Sequence, residues 1–315
     1  MSSKLKLIKK EVTVKSPGTV ANMVCGFDIM GFALESPGDI ITLRAVEGNS
    51  SITISNLDHF NLPIDPYSNV MGVSLAAFHK ALDREYQFEI ISEKTIKPGS
   101  GLGSSAASAA GIVVAANALF GNPFSKEELI SFAMEGEFLA SGSRHADNLA
   151  PCIYGGVVLV RSHSPLDIIP LQSPTLYTTI LHPQIEVRTS DSRSILKKNV
   201  LLKDAITQWG NVAGLVAGLL MEDYELISRS LHDVLIEPSR SILIPLFHEV
   251  KHAALDAGAL GGGISGSGPS IFMLSKSEQS AKQVEVAMIN MYSGTDIPFN
   301  TYVSRINPTG VIVIG

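Results

Sequence analysis

A cluster of glycines ahead of a long run of small and apolar residues constrains this chain more than any other feature. Residues 97–120 read KPGSGLGSSAASAAGIVVAANALF, with three glycines in five positions followed by two serines. Glycine loses more backbone entropy on folding than other residues, so such a cluster marks a place where the backbone itself has a task. A glycine loop that leads into a helix directs backbone N–H groups and the positive end of the helix dipole at one point. The pattern therefore predicts an anion site, and phosphate is the anion that fits it best.

Two familiar phosphate-binding loops differ from this one. A Walker A loop has a lysine directly after its glycines, and none follows here. A dinucleotide-binding fingerprint would have its third glycine at the position of Ser104. Taken alone, the stretch fits a flexible turn before a core helix equally well.

Composition excludes several classes of protein. The formal net charge of −6 over 315 residues disfavours nucleic acid and anionic membrane surfaces as partners. No apolar run reaches the roughly 18 residues of a membrane helix, and the first residues lack the apolar core of a secretory signal. Two cysteines, Cys25 and Cys152, are too few for a disulfide framework. These observations predict a cytoplasmic globular protein without a nucleic-acid or membrane partner.

Strand and helix patterns alternate along the chain and predict an α+β fold. A link rich in serine and proline, SHSPLDIIPLQSP, separates two halves, so we expect an N-terminal domain at 1–165 and a C-terminal domain at 166–315. Alternation or β-branched residues indicate strands at 11–15, 39–46, 51–55, 88–96, 176–181, 270–275 and 301–306. Apolar residues at helical spacing indicate helices at 69–86, from about 104, and at 125–142, 202–222, 223–232, 243–257 and 279–292.

Three segments, in order, resemble the motifs of the GHMP kinases, a family of ATP-dependent small-molecule kinases. PGSGLGSSAA is similar to the phosphate-binding motif of the family. Residues 16–35 (SPGTVANMVCGFDIMGFALE) are similar to its N-terminal substrate motif, and residues 261–274 (GGGISGSGPSIFML) are similar to its C-terminal glycine motif. The resemblance covers about residues 12–275. It implies a two-domain GHMP kinase fold, with an N-terminal domain like domain 2 of ribosomal protein S5 and a ferredoxin-like C-terminal domain. Lys97 stands where the family usually has proline, and the proline follows one position later.

The same resemblance implies where ATP and Mg²⁺ bind. Ser105 resembles the serine that coordinates Mg²⁺, and Ser104 the neighbouring serine that contacts phosphate. Glu137 would be the carboxylate ligand of Mg²⁺, a hard cation that takes oxygen ligands. Asn69 resembles a contact to the adenine base. The phosphates of ATP would lie on the loop made up of Lys97, Pro98, Gly99, Ser100, Gly101, Leu102, Gly103, Ser104, Ser105, Ala106 and Ala107.

Further matches resemble the branch of the family that phosphorylates the hydroxyl of homoserine. In EFLASGSRHADNLAP, which starts at Glu137, His145 would contact the acceptor, and Asp147 and Asn148 would lie near the transferred phosphoryl group. In RTSDSRSIL (188–196) the resemblance implies catalytic roles for Thr189 and Arg193.

An amino-acid acceptor brings a carboxylate and an ammonium, and the candidate residues match those charges. Arginine recognises a carboxylate through two parallel hydrogen bonds. This suits Arg193 and, in LIEPSRSILIP (235–245), Arg240. The N-terminal motif adds Asn22 and Asp28, and Asp28 would hold the ammonium, accept the hydroxyl proton, or do both. The implied reaction is in-line transfer of the γ-phosphoryl group of MgATP, in which the protein supplies mainly positioning and charge neutralisation.

Two other functions stay open. Another kinase of the family, such as a mevalonate or sugar kinase, would share the loop and the metal ligands, and a non-catalytic sensor would share the fold without turnover. Ser105 and Glu137 are both present, which favours an enzyme. We also expect a homodimer. Seven other histidines, His163 among them, are expected to have structural roles, and Trp209 to lie in the core or at an interface.

Overall fold

The computed structural model describes residues 6–315, except for the side chains of residues 189 and 190. The strands are β1 (Glu11–Ala21), β2 (Met30–Glu47), β3 (Ser51–Asn56), β4 (Tyr86–Glu93), β5 (Val157–His163), β6 (Leu166–Leu171), β7 (Tyr177–Pro183), β8 (Gly261–Ile264), β9 (Ile271–Ser275), β10 (Phe299–Arg305) and β11 (Ile312–Val313). The helices are α1 (Val70–His79), α2 (Ser104–Leu119), α3 (Lys126–Ser141), α4 (Leu149–Tyr154), α5 (Thr189–Ser194), α6 (Leu202–Met221), α7 (Tyr224–Ser230), α8 (Glu237–Arg240), α9 (Phe247–Asp256) and α10 (Glu278–Tyr292).

Two sheets organise the chain. In the larger sheet β11, β1, β2, β4 and β3 follow one another, and the β5–β6 hairpin joins through the pairing of β5 with β2. Its pairs are antiparallel except for β3 with β4. The smaller sheet is antiparallel in the order β10, β7, β9, β8. Helices α1, α2 and α3 share a core with the larger sheet, and α9 and α10 share one with the smaller sheet.

Helix α2 lies close against the larger sheet because its residues are small. Nearly all of them are buried. Ser16 of β1 donates a hydrogen bond to the carbonyl of Ala107 at 2.6 Å. A Cβ on Gly111 would come within 2.6 Å of the Cδ1 atom of Ile41 in β2. The sheet therefore fixes the position of α2 and of the glycine loop that precedes it.

The α+β class predicted from the sequence is confirmed. Two local predictions are wrong. The helix predicted at 69–86 ends at His79, because Tyr86 begins β4 and is fully buried in the core. The predicted link after residue 161 contains β6, which turns back and pairs with β5.

Strand pairing bears on the proposed division into two domains. β6 belongs to the larger sheet. β11 also belongs to it, although in the sequence β11 follows all the strands of the smaller sheet. The segment that leaves the larger sheet is therefore 172–176, and not the neighbourhood of residue 165. We retain two domains as a proposal, with the boundary between 1–165 and 166–315 moved to 172–176.

Helix α6 carries an exposed apolar stripe. Leu202, Ile206 and Trp209 follow one another at helical spacing and are 68%, 56% and 61% exposed. Trp209 is therefore not a core residue, which leaves the other predicted location, an interface. Within residues 6–315, no helix has both the length and the hydropathy to cross a bilayer.

Two helical glycines provide a matched test of the packing. A Cβ on Gly136 in α3 would lie 2.2 Å from the Ser74 hydroxyl and 2.6 Å from the Val70 carbonyl of α1, whereas a Cβ on Gly210 in α6 would meet open space. We expect Gly136→Ala to lower the free energy of unfolding by about 1–3 kcal/mol through overpacking. Gly210→Ala should raise it by up to about 1 kcal/mol, because alanine favours the helix. Urea unfolding measures both changes, and a neutral or stabilising Gly136→Ala would contradict the close crossing of α1 and α3.

Candidate active site

A cavity of about 720 Å³ is lined by residues from both halves of the chain. Lys97 does not line it and instead donates a hydrogen bond to Gln184 at 2.8 Å. Thr189 begins α5, and its side chain lies outside the described residues. Of the predicted site residues, those that line the cavity are Asn22, Asp28, Asn69, Pro98, Gly99, Gly101, Gly103, Ser104, Ser105, Glu137, His145, Asp147, Asn148, Arg193 and Arg240. The remaining loop residues, Ser100, Leu102, Ala106 and Ala107, are buried away from the cavity lining.

The glycine loop has room for little besides backbone. Gly99, Gly101 and Gly103 have φ angles of +75°, +80° and +66°, which L side chains rarely adopt. A Cβ would lie 2.6 Å from the Ser265 carbonyl oxygen at Gly101 and 2.0 Å from the Thr19 hydroxyl at Gly103. These two glycines are therefore required by close packing as well as by backbone conformation.

The C-terminal glycine segment holds this loop in place. Ser265 donates to the carbonyl of Gly101 at 2.7 Å, and Ser270 donates to the carbonyl of Ser100 at 2.6 Å. Both donors are fully buried. The smaller sheet is thus joined directly to the backbone of the loop.

Helix α2 begins without a side-chain cap. Its N-cap residue is Gly103, and its first turn has no acidic residue. N–H groups at such a helix start remain available to an anion. The hydroxyl of Ser104 donates to the carbonyl of Ile96 at 2.8 Å. The predicted phosphate contact of Ser104 would therefore come from its backbone N–H.

A buried ion pair that the sequence did not reveal supports this helix start. The ammonium of Lys94 contacts the carboxylate of Asp39 and also donates to the Ser108 hydroxyl at 2.8 Å and the Ser104 carbonyl at 3.2 Å. Asp39 accepts the N–H groups of the two residues that follow Lys94. Lys94 also lines the cavity. Sequence reasoning missed it because a lysine at the end of a strand is normally solvated.

Two predicted residues have their side-chain amides engaged by protein groups. Asn148 accepts a hydrogen bond from Thr19 at 2.8 Å. Asn69 caps α1 by accepting from the Met71 N–H at 2.8 Å, and it donates to the Pro63 carbonyl at 2.6 Å. If adenine binds at this part of the cavity wall, it would contact the backbone of Asn69 or the neighbouring residues that line the cavity.

Two carboxyl groups in the cavity are hard to ionise. Glu137 of α3 accepts a hydrogen bond from Ser105 at 2.9 Å. Burial raises the pKa of Glu137 to about 7, although the hydrogen bonds from Ser105 and Ser141 act in the opposite direction. Burial, together with the charges of Asp28 and Glu137, raises the pKa of Asp147 to about 7. A cation bound beside these groups would restore their ionised forms.

Asp28 is held at its backbone and at its carboxylate. Its φ is +61°, its N–H donates to Asn22 at 3.0 Å, and its carbonyl lies 3.1 Å from Nε2 of His163. Arg193 binds the carboxylate through two parallel hydrogen bonds of 2.9 and 3.2 Å. Nδ1 of His145 lies 3.9 Å from the same carboxylate, and burial lowers the pKa of His145. His163 thus supports the site, although no pattern around it in the sequence pointed there.

Arg240 is buried and forms no salt bridge with any described residue. Its Nε donates to the Ser192 carbonyl at 3.1 Å, and its Nη1 donates to the Gly266 carbonyl at 3.0 Å. The guanidinium carbon lies 4.9 Å from the ring centroid of Phe27, and that of Arg193 lies 5.7 Å from the same ring. Burial, and next the charge of Arg193, lower the pKa of Arg240 to about 10. An anionic group would bind favourably beside this guanidinium, which has no direct ion-pair partner among the described residues.

Two family models of known proteins match this chain. The family model for the GHMP kinases N terminal domain matches residues 69–156, and the model for the GHMP kinases C terminal region matches residues 215–294. The chain is 50% identical to a homoserine kinase of Chloroherpeton thalassium, over 89% of this chain and 91% of that protein. It is 40% identical to a homoserine kinase of Methanocella arvoryzae, over 96% of this chain and 97% of that protein.

Solved structures of GHMP kinases superpose on this chain over nearly its whole length. The crystal structure of homoserine kinase from Cytophaga hutchinsonii superposes with a TM-score of 0.93 and 50% identity, over 98% of this chain and 99% of that one. Mevalonate kinase of L. major superposes with a TM-score of 0.73 and 14% identity, over 97% of this chain and 99% of that one. At that identity the second match concerns the fold alone, and it agrees with the predicted two-domain arrangement.

The raised pKa of Glu137 predicts how stability depends on pH in the protein without nucleotide or metal. The unfolded chain loses this proton near its usual pKa of 4.5, whereas the folded chain keeps it to about 7. Stability is therefore greatest below the lower value and falls as the pH rises through the higher one. Glu137→Gln should stabilise the protein at pH 8 by about 1–3 kcal/mol, with little effect at pH 4.

Thermal unfolding at pH 4 and pH 8 in a chelating buffer measures this difference. Glu135→Gln on the same helix is the matched control, because its carboxylate is 42% exposed and pairs with Arg144 at the surface. A stabilisation by Glu137→Gln that is equal at both pH values would contradict the raised pKa.

Proposed function

We infer the activity of this chain from one premise: the chain belongs to the GHMP kinase family, and relatives with 45–50% identity to it are homoserine kinases. We propose that it transfers the γ-phosphoryl group of ATP to the side-chain hydroxyl of L-homoserine. The products are ADP and O-phospho-L-homoserine, a precursor in threonine biosynthesis.

The observation that carries this proposal is the charge arrangement within one cavity. One part of the wall has the glycine loop and the uncapped start of α2, which suit phosphate. Another part has Arg240 and the Asp28–Arg193 pair, which suit a molecule with a carboxylate and an ammonium. A phosphate donor and a zwitterionic acceptor therefore both find matching charges in the same enclosed space.

Mg²⁺ would be held by Ser105 and Glu137. Their side chains fit such an ion, because they bring two oxygens together at 2.9 Å and because a cation would compensate a carboxylate whose burial raises its pKa to about 7. In the described part of the chain, no group of three or more histidine, cysteine or acidic side chains is arranged to hold a metal ion by itself. Mg²⁺ commonly takes one or two protein oxygens together with water and substrate phosphates. When bound, it would neutralise the phosphate charge.

The acceptor would be oriented by three kinds of contact. Arg240, which has no salt-bridge partner among the described residues, would bind the carboxylate, and Arg193 would assist it. Asp28 would bind the ammonium, while Asn22 and His145 would complete the acceptor pocket. Mevalonate has a carboxylate but no ammonium, so it would leave the anionic side of this pocket without a partner.

Transfer itself would depend mainly on position and charge. The hydroxyl oxygen of homoserine forms a bond to the γ-phosphorus as the bond to the β-phosphate oxygen breaks. The hydroxyl proton needs an acceptor. Asp147 suits this role better than Asp28, because the carboxylate of Asp28 is held at both oxygens by Arg193 and because the pKa of Asp147 is raised to about 7. Asn148 and Thr189 would complete the surroundings of the transferred group.

We further propose a cytoplasmic homodimer. The two cysteines are unpaired and buried, as is usual in reducing compartments. The exposed stripe of Leu202, Ile206 and Trp209 on α6 is the surface that a second copy would cover. Sedimentation velocity of the purified chain tests the dimer, and a monomer at micromolar concentration would contradict it.

The activity is tested with a panel of acceptors in an ADP-release assay. We expect MgATP-dependent turnover with homoserine and much less with mevalonate, galactose or 3-aminopropanol, which is homoserine without its carboxylate. Arg240→Ala should reduce the preference for homoserine over 3-aminopropanol by about tenfold, because a charge-assisted hydrogen bond contributes about 1.5–3 kcal/mol.

Arg229→Ala, at an exposed position on α7, controls for the loss of any positive charge. An unchanged preference in Arg240→Ala would mean that the carboxylate is read elsewhere. Robust use of mevalonate without use of homoserine would overturn the proposed activity, and ligand binding without turnover would favour a sensor.

Replacement of Glu137 tests the metal site. Glu137→Gln retains the size of the side chain and an acceptor for Ser105 but removes the charge. We expect kcat to fall by about 100-fold or more, since the metal contributes several kcal/mol to stabilising the transition state. Glu135→Gln, on the same helix but outside the cavity lining, should leave kcat nearly unchanged. Activity of Glu137→Gln within a few-fold of wild type would exclude Glu137 as a metal ligand.

A further inference from the structure

Gln208, a buried residue of α6, joins two segments that carry acceptor-binding side chains. Its Nε2 atom donates to the Cys25 carbonyl at 2.8 Å and to the carboxylate of Asp233 at 3.0 Å. Its Oε1 atom accepts the Val234 N–H at 3.1 Å. We propose that Gln208 is a positioning residue that holds the acceptor-binding groups in register. This inference rests on the proposed function, because it concerns recognition of the same acceptor.

The first segment leads from Asn22 to Asp28. Asn22, Met23, Val24 and Asp28 have φ angles of 73°, 40°, 66° and 61°. Non-glycine residues adopt such angles only where surrounding contacts impose them. The bond from Gln208 to the Cys25 carbonyl lies inside this segment, two residues before Phe27. It is therefore one of the contacts that keep the Phe27 ring and the Asp28 carboxylate in place.

The second segment carries Arg240. Helix α8 has four residues and ends at Arg240, and so short a helix is not stable by itself. The carboxylate of Asp233 organises the approach to it by accepting the N–H groups of Leu235 at 2.9 Å, Ile236 at 3.1 Å and Glu237 at 2.8 Å. Asp233 thus organises the backbone that leads to Arg240, and its carboxylate in turn accepts a hydrogen bond from Gln208.

The two segments meet where the Arg240 guanidinium lies 4.9 Å from the Phe27 ring centroid. Arg193 carries the same charge nearby and disfavours the charged form of Arg240. Arg193 is held there by its ion pair with Asp28, so the spacing of the two arginines depends on the backbone that carries Asp28 and Arg240. Gln208 binds both segments from one helix, and its hydrogen bonds do not include the glycine loop, whose carbonyls accept from Ser265 and Ser270. Loss of the Gln208 amide should affect the acceptor and spare the nucleotide.

The test compares Gln208→Met, which keeps the length of the side chain but removes its hydrogen bonds, with Asn211→Ala. Asn211 lies one turn further along α6 and donates to the carbonyl of His232 at 2.8 Å, a neighbour of Asp233 that Gln208 does not bind. For Gln208→Met we expect KM for homoserine to rise about tenfold, the effect of losing a hydrogen bond to a charged group. The preference for homoserine over 3-aminopropanol should fall similarly. KM for ATP should stay within twofold, and Asn211→Ala should resemble wild type in all three measurements.

Equal changes in KM for ATP and for homoserine, or the same changes in Asn211→Ala, would overturn the proposal, because both indicate a general loss of structure. If Gln208→Met does not fold, Asp233→Asn takes its place with the same expected and overturning results. Wild-type turnover with homoserine tests the proposed function on its own.

A second measurement does not require activity. Arg240 is buried, so its modification by phenylglyoxal, followed by mass spectrometry of the peptide that contains it, reports whether its surroundings have loosened. We expect modification in Gln208→Met to be several-fold faster than in wild type and in Asn211→Ala. An unchanged rate would overturn the positioning role even if homoserine proved not to be the acceptor.

Discussion

The hydrogen bonds between the two glycine segments are the contact on which the rest of the site depends. Ser265 and Ser270 lie in the turn between β8 and β9 of the smaller sheet, and they bind carbonyls of the glycine loop, which lies between β4 of the larger sheet and α2. Gly101 is so close to the first of these serines that no other residue fits. Since α2 packs closely against β1 and β2, the loop is held from both sides. The cavity exists because both halves meet at this backbone.

Several ionisable groups of the cavity are buried at a cost to the stability of the free protein. Glu137 and Asp147 are buried deeply enough to raise both pKa values to about 7, and Arg240 is buried with its own pKa lowered to about 10. The charged form of each of these groups would have a lower free energy in water. A metal ion, a phosphate chain and a zwitterion would supply the missing opposite charges. Binding of ligands with opposite charges would therefore be favoured, because it would stabilise the charged forms of these groups.

The sequence was informative where function leaves a local mark and uninformative where it depends on distant partners. The glycine loop and the helix that follows it could be predicted from their composition, and the carboxylates and arginines of the cavity from the resemblance of short segments to family motifs. Lys94, His163 and Gln208 could not. Each acts through a partner that lies far away in the sequence: Lys94 binds Asp39, His163 contacts Asp28, and Gln208 binds Cys25. Nothing in their immediate neighbours distinguishes such residues from ordinary strand ends or helix interiors.

The pairing of β11 with β1 has a consequence for the order of folding. Val14 is paired with Val313 and Lys15 with Ile312, so part of one edge of the larger sheet is covered by residues almost the whole chain away. Contacts between such distant residues carry a large loop-closure cost and form after local ones. During synthesis, β1 therefore presents an unpaired edge while the smaller sheet is still being made. An open edge of this kind can pair with another chain. This protein should therefore be most prone to aggregation before β11 has been synthesised and has paired with β1.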